Sequence, residues 1–138
     1  MLRLDAAAHV AMIGHGYDGL PDEACGLLGG RPQSASVDVF IPCANADRSS
    51  RTYSIGPEGW LAADRTLDPL GLEVVGVMHS HTHTDAYPSP TDVAKADNPL
   101  LAGWHYIIVS LRDDAPMLRS YLIEDGKIAE EAVVLTGR

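Results

Sequence analysis

A short polar segment, VMHSHTHTDAYPSPTD (residues 77–92), contains three histidines, two aspartates and two serines. Its first two histidines, His79 and His81, stand two apart at the end of a β-branched run. Side chains at i and i+2 leave a strand on one face, so both imidazoles point the same way and Ser80 points the other way. A pair of imidazoles on one face can bind a metal. On the HxH pattern alone, two half-buried polar residues at a strand end explain the sequence equally well.

The segment PSPTD begins a predicted helix directly after this strand. Ser89 as N-cap, Pro90 at N1 and Asp92 at N3 are typical of a helix start, close to a capping box with aspartate in place of glutamate. Capping alone explains the serine and the aspartate. It does not explain why the helix begins just beyond the HxH strand, where Asp92 can supply a third ligand. Two imidazoles and one carboxylate leave the fourth tetrahedral position for water, the composition of a catalytic metal site.

The combined pattern resembles the motif of the JAMM (MPN-plus) metallopeptidase family. HxH, ten residues, then Asp, with Ser three before that Asp, stands here as His79-Ser80-His81 and Ser89-Pro90-Thr91-Asp92. The family also has a glutamate far upstream, after the first helix, and PDEACGLLGG supplies Glu23. The order and spacings match over about residues 5 to 125. The resemblance therefore extends over nearly the whole chain.

The resemblance implies a fold, an activity and a role for each site residue. The fold would be an MPN (JAB/Mov34) domain, a mixed curved β-sheet flanked by α-helices. The activity would be that of a zinc metallopeptidase with one Zn²⁺ per chain, held by His79, His81 and Asp92, which lowers the pKa of its water to about 7. Glu23 would pass the water's proton to the leaving amine, and Ser89 would donate a hydrogen bond to the oxyanion.

One departure from the family pattern points to a branch. Many members have proline after the second histidine, where this chain has Thr82. Together with DEACG and AYPS, this is similar to the bacterial branch that releases cysteine from the C-terminal diglycine of a ubiquitin-like sulfur-carrier protein, a step of cysteine biosynthesis. Three alternatives stay open: trimming of other residues after a carrier's diglycine, a catalytically silent MPN scaffold, and a cupin-like metal-binding barrel.

Three other features of the sequence are given non-catalytic interpretations. GHGYDG (residues 14–19) matches GxGxxG literally, but it follows a helix, whereas a dinucleotide site needs a strand before the motif. His83 is expected to be a solvated loop histidine, and Cys25 a small buried hydrophobe. The loop from Thr82 to Pro88 adjoins the metal-ligand candidates, so a gating role is a further hypothesis.

Length and charge limit the class of protein. The 138 residues are enough for one domain (1–138) with a substantial core. A formal charge of −9 disfavours nucleic acid and anionic membranes as partners. No targeting signal is recognised and no apolar run reaches the roughly 20 residues of a membrane span. With two cysteines outside any CxxC motif, we expect a reduced cytoplasmic chain, and a homo-oligomer stays open.

The hydrophobic periodicity predicts an α+β domain, in the order α-β-β-β-α-β-α-β-β-β. The first helix is expected to begin after Asp5 and to end at Gly14 or Gly16, and a second to lie between Gly56 and Gly71. The predicted strands are EACGLLGG, SVDVFIPC, RTYSIGP, EVVGVMHSH, WHYIIVSL, MLRSYLIED and KIAEEAVVL, with a turn at Asp125-Gly126 before the last.

Overall fold

The computed structural model describes residues 1–137, which form nine strands and three α-helices in an α+β arrangement. In chain order the elements are β1 (Leu2–Asp5), α1 (Ala6–Gly19), β2 (Cys25–Gly30), β3 (Ser36–Val37), β4 (Val39–Cys43), α2 (Pro57–Leu67), β5 (Glu73–His81), α3 (Pro90–Ala96), β6 (His105–Ser110), β7 (Met117–Glu124), β8 (Lys127–Glu131) and β9 (Val133–Thr136).

The main sheet has six strands in the order β4-β2-β5-β6-β7-β8. Only β5 and β6 pair in parallel; the other neighbours are antiparallel, so the sheet is mixed as predicted. The nine-residue strand β5 lies between β2 and β6, and its last six residues are buried. Register places Cys25 of β2 opposite His79. The start of β2 and the end of β5 therefore lie side by side.

The second sheet has three parallel strands in the order β3-β1-β9. It corrects two predictions, because SVDVFIPC and KIAEEAVVL each divide between the two sheets. The divisions fall at Asp38, whose N–H bonds the Gly29 carbonyl at 2.8 Å, and at Ala132, whose carbonyl accepts from Leu2 N–H at 2.7 Å. Strand β1, which was not predicted, pairs with β3 on one side and with β9 on the other.

The first helix begins where predicted and ends later. Asp5 is its N-cap, and its carboxylate accepts the Ala8 N–H at 3.1 Å. The predicted end at Gly14 or Gly16 was wrong, since α1 continues to Gly19. Its buried residues Ala8, Met12 and Gly16 recur every four positions, so one face of the helix packs against the sheet.

The segment before the second helix also differs from its prediction. RTYSIGP does not form a strand; it carries one isolated bridge, between Asn45 and Ile55. The helix α2 then begins after Gly56 with Pro57 at N1. A short 3₁₀ turn over Asp68–Leu70 follows, and Gly71, in the left-handed region at φ 68°, ends the unit as expected.

The two faces of the main sheet bury separate hydrophobic clusters. One face packs Met78 and Ile107 against α1 and the small sheet. The other packs Val77 and Ile108 in one cluster with side chains of α2 and α3. Alternation along β5 therefore assigns His79 and His81 to the Val77 face, as the i, i+2 spacing predicted. Among residues 1–137, no helix is long and apolar enough to cross a membrane.

Candidate metal centre

The end of β5 and the start of α3 bring three ligand atoms together. His79 Nε2 lies 3.1 Å from His81 Nε2, and each nitrogen lies 3.2 Å from Asp92 Oδ2. All three residues are buried, with 1%, 5% and 9% of their surfaces exposed. A tetrahedral metal with ligand bonds of about 2.0–2.1 Å has ligand–ligand edges of about 3.3 Å. The triangle therefore has the size that such a metal requires.

The hydrogen bonds of His81 fix where its proton lies. Its Nδ1 is 2.6 Å from the carbonyl oxygen of Asp85, which can only accept, so Nδ1 carries the hydrogen. In the neutral form of His81, the lone pair of Nε2 faces Asp92 and His79. The His79 ring stacks on Tyr53 with ring centroids 4.5 Å apart, and its buried Nδ1 has no partner among the described residues. Two ring nitrogens that converge on a carboxylate oxygen in this way suit a bound cation.

Asp92 reaches the site because it also closes the helix cap. The Ser89 N–H donates to Asp92 Oδ2 at 2.8 Å, and the Asp92 N–H donates to Ser89 Oγ at 3.1 Å, which completes the predicted capping box. The Ser89 hydroxyl keeps its own hydrogen free to donate elsewhere. The cap thus holds the carboxylate rotamer that meets the two imidazoles.

The protonation states of the triangle suit metal binding. Burial alone would raise the pKa of Asp92, but hydrogen bonds from His79 and His81 outweigh it and hold the pKa far below its usual range. Burial lowers the pKa of His79, so this imidazole is neutral near pH 7. Burial alone would lower the pKa of His81 too, but its hydrogen bonds to Asp92 and Asp85 outweigh burial and raise the pKa. An ionised carboxylate and neutral imidazoles are the forms that coordinate metals, so metal binding would displace a proton from His81 where it is protonated.

Glu23 lies two residues before β2 and lines the same cleft as His81 and Ser89. It is 6% exposed, and burial raises the pKa of its carboxyl to about 7. Its backbone is held by two bonds: its N–H donates to the Ser49 carbonyl at 2.8 Å, and its carbonyl accepts from Asn45 Nδ2 at 3.0 Å. A buried carboxyl that titrates near neutrality is suited to proton transfer.

Sequence interpretation missed two residues that position this glutamate. Ser80, on the reverse face of β5, accepts the Ala24 N–H through Oγ at 2.8 Å and donates its own N–H to the Ala24 carbonyl at 2.9 Å. Asn45 binds the Glu23 carbonyl from the other side. For Ser80, the available signal was its position between two histidines at the end of a predicted buried strand. For Asn45, within a loop of polar residues, the sequence contains no comparable signal.

Two clefts flank the triangle. A polar cleft of about 560 Å³ is lined by Glu23, Arg51, His81, His83 and other residues. An apolar cleft of about 270 Å³ lies beyond Tyr53, and Trp60 and Trp104 line it. The exposed His83 lies in a loop, as predicted.

The loop from Thr82 to Pro88 is tethered at several points. Ser110 Oγ donates to the Thr84 carbonyl at 2.5 Å, Thr82 Oγ1 donates to the Ser50 carbonyl at 3.2 Å, and the Tyr121 hydroxyl donates to the Ala86 carbonyl. These bonds oppose a large movement of the loop. Its gating role stays a hypothesis.

Comparison with known proteins agrees with the geometry. A model of the family described as prokaryotic homologs of the JAB domain matches residues 5–124. The CysO-cysteine peptidase of Mycobacterium tuberculosis is 42% identical over 124 residues, which cover 89% of this chain and 83% of that protein. The desampylase of Haloferax volcanii is 32% identical over 114 residues, covering 79% and 80%. The solution structure of a Desulfitobacterium hafniense protein has a TM-score of 0.88 at 33% identity, covering 100% and 94%.

The matched segment includes every residue of the predicted site. Glu23, the two histidines of β5, Ser89 and Asp92 all fall between residues 5 and 124. The similarity also extends over both sheets and the helices between them, so it concerns the fold as well as the motif. The chain therefore belongs to the family of prokaryotic homologs of the JAB domain, as its resemblance to JAMM metallopeptidases predicted.

Proposed function

We propose that this protein is a zinc-dependent peptidase that hydrolyses the bond after the C-terminal diglycine of a ubiquitin-like sulfur-carrier protein and releases cysteine. The observation that carries the proposal is the buried triangle of His79 Nε2, His81 Nε2 and Asp92 Oδ2, with Glu23 in the adjoining cleft. Two imidazoles and one carboxylate are a ligand set of catalytic zinc, with a position left for water.

His79, His81 and Asp92 would hold one zinc ion per chain. When bound, zinc acts as a Lewis acid that polarises a carbonyl and lowers the pKa of water. The protein fixes the geometry beforehand: the Asp85 carbonyl orients His81, Tyr53 packs on the ring of His79, and the helix cap orients Asp92. Such outer contacts keep the ligand atoms converged.

Glu23 is proposed as the general base and then the general acid. Its carboxylate accepts a proton from the attacking water as the oxygen bonds to the glycine carbonyl carbon. The same proton is then donated to the nitrogen of the leaving amino acid as the C–N bond breaks, so protons balance over the cycle. Burial raises the pKa of Glu23 to about 7, which makes both protonation states accessible near neutrality.

Ser89 is proposed to stabilise the oxyanion. Its hydroxyl accepts from the Asp92 N–H at 3.1 Å and retains one hydrogen to donate. Because the helix cap already fixes this side chain, the donor needs no reorganisation when negative charge develops on the substrate oxygen. Ser89 would thus both cap α3 and stabilise the oxyanion.

The similar proteins support the choice of substrate. The curated relatives at 42% and 32% identity are named CysO-cysteine peptidase and desampylase, and the higher identity favours release of a terminal cysteine. Its partner would be a small carrier with a C-terminal diglycine, encountered in the cytoplasm. Trimming of other residues after a carrier's diglycine stays the alternative with the same chemistry. The complete ligand set speaks against a silent scaffold.

The test is intact-mass spectrometry of a sulfur carrier ending in Gly-Gly-Cys, incubated with zinc-loaded protein. We expect the wild type to remove one cysteine, and the Glu23→Gln variant and the chelated wild type to remove none. A carrier left intact by protein with confirmed bound zinc would contradict the proposed substrate. Protein that binds no zinc yet still binds the carrier tightly would support the scaffold instead.

A further inference from the structure

The polar cleft contains an arginine, Arg51, to which the proposed mechanism assigns no role. Arg51 is exposed and lines the cleft together with Glu23, His81 and Ser89. Within residues 1–137, no carboxylate lies within ion-pair distance of its guanidinium, whereas Arg112 and Arg119 both pair with acids. The chain has 19 acidic and 10 basic residues, and an unpaired guanidinium in the cleft beside the candidate metal ligands is available to bind an anionic group of a substrate.

The backbone on both sides of Arg51 is held in place. Ser49 Oγ accepts the N–H groups of Arg51 and Thr52 at 3.0 and 3.2 Å. Asn45 Nδ2 donates to the Thr52 carbonyl at 2.9 Å, and Thr82 Oγ1 donates to the Ser50 carbonyl at 3.2 Å. The same asparagine binds the Glu23 carbonyl. The backbone positions of Arg51 and of Glu23, the proposed general base, are therefore both fixed by hydrogen bonds of one loop.

The other cation near the triangle, Lys95, is already engaged. Its ammonium donates to the Tyr53 carbonyl and lies 4.2 Å from the centroid of the Tyr53 ring. It lines the apolar cleft, on the side of Trp60. Arg51 is thus the cation that remains available in the polar cleft, and a guanidinium binds a carboxylate through two parallel hydrogen bonds.

We propose that Arg51 binds the α-carboxylate of the amino acid that leaves, so the polar cleft accepts a terminal residue with a free carboxylate. The inference rests on the proposed function and deepens it. In a terminal cysteine the carboxylate is one carbon from the scissile nitrogen, so a group that binds it also positions the bond. In a conjugate to a lysine side chain, no carboxylate stands at that place. Arg51 therefore favours release of a terminal residue over cleavage of isopeptide conjugates.

The test compares two forms of one carrier, ending in Gly-Gly-Cys with a free carboxylate or with a carboxamide. For the wild type we expect kcat/KM to be about 10-fold or more higher on the free acid, the effect of a hydrogen-bonded charge. In Arg51→Ala this ratio should fall to about one, through loss on the acid and little change on the amide. Arg51→Lys should retain part of the preference for the free acid. Arg48→Ala, which removes an exposed arginine of the same loop, should retain that preference in full.

Binding to an inactive variant gives a second measurement. In a Glu23→Gln background, calorimetry should find the acid carrier bound more tightly than the amide, and the difference should vanish when Arg51→Ala is added. Equal hydrolysis of both carriers by the wild type would overturn the role of Arg51 and leave the proposed peptidase intact. An equal loss in Arg48→Ala would assign the effect to loop charge instead. If zinc-loaded wild type cleaved neither carrier, the proposed function would fail and this inference with it.

Discussion

Two buried histidine–carboxylate clusters lie toward opposite ends of the main sheet and differ in how many potential ligand atoms they bring together. In one, His105 Nδ1 is 2.6 Å from Glu131 Oε2, and Ser120 Oγ donates to the same oxygen at 2.7 Å. A donor meets an acceptor in both contacts. In the other, His79 Nε2, His81 Nε2 and Asp92 Oδ2 converge on one point, and the Nδ1 proton of His81 is directed to the Asp85 carbonyl.

The pKa direction of the carboxylate does not distinguish the two clusters. Burial alone would raise the pKa of Glu131, but hydrogen bonds from His105 and Ser120 outweigh it and lower the pKa, as happens at Asp92. What distinguishes them is the convergence of three potential ligand atoms on one point, whereas His105 and Glu131 bring together two. A buried histidine–carboxylate pair is thus not by itself a sign of a metal site, and the third converging ligand atom marks the candidate one.

The largest expected effect comes from making the same isosteric change in both clusters. Asp92→Asn should lower kcat/KM by more than the ~10³-fold cost of losing a single transition-state donor, because it removes a ligand charge. Glu131→Gln should keep kcat/KM within a few-fold and lower the free energy of unfolding by about 1–3 kcal/mol, since charged hydrogen bonds become neutral ones. Carrier hydrolysis and urea denaturation measure the two quantities. Comparable activity losses in both variants would remove the distinction.

The two serines give the next effect. Ser89→Ala should lower kcat by ~10²-fold because the oxyanion donor is lost, and it should cost about 1 kcal/mol of stability because the helix loses its cap. Ser120→Ala should cost a similar stability and leave kcat unchanged. Single-turnover kinetics beside thermal unfolding separates the two roles. Full activity in Ser89→Ala would exclude its catalytic part.

Metal removal should affect one cluster only. Zinc at 100 times its Kd stabilises a folded protein by about 2.7 kcal/mol, so adding it to metal-free wild type should raise Tm by several degrees. Glu131→Gln should show the same rise and Asp92→Asn little or none. Differential scanning fluorimetry with and without a chelator measures this. A rise in Asp92→Asn equal to that of the wild type would place the zinc elsewhere.

The smallest effect is a pH dependence of stability at Glu23, in the metal-free protein. Its folded pKa of about 7 exceeds the ordinary value of 4.5, so the folded state binds more protons and stability falls as pH rises between these values. Glu23→Gln lacks this loss, so at pH 8 it should be more stable than wild type by about 1–2 kcal/mol, although it is inactive. At pH 4 the difference should disappear. A constant difference across that range would contradict the titration.

The positions of the candidate ligands and the local elements around them were predictable because they rest on short-range rules. The i, i+2 spacing placed His79 and His81 on one face, and the Ser-Pro-x-Asp start placed Asp92 at N3 of a capped helix. The first helix began at Asp5 as predicted, and the turn at Asp125-Gly126 joins β7 to β8, with both residues at positive φ. Glu23 was identified only through the resemblance, since nothing in its neighbourhood indicates proton transfer.

The sequence by itself determined which atoms can bind a metal and which face of the strand carries them, because backbone periodicity and capping are local. Tertiary structure alone decided the rest. Strand β1, which has no clear hydrophobic pattern, brings the Leu2 N–H to the Ala132 carbonyl. Tyr53, predicted in a strand, instead lies in a loop and stacks on His79. Asn45 reaches the Glu23 carbonyl, and the loop that carries Arg51 is fixed by the bond from Thr82 to the Ser50 carbonyl, both between residues distant in the chain. Such contacts depend on how sheets and loops pack, and no short-range spacing encodes that packing.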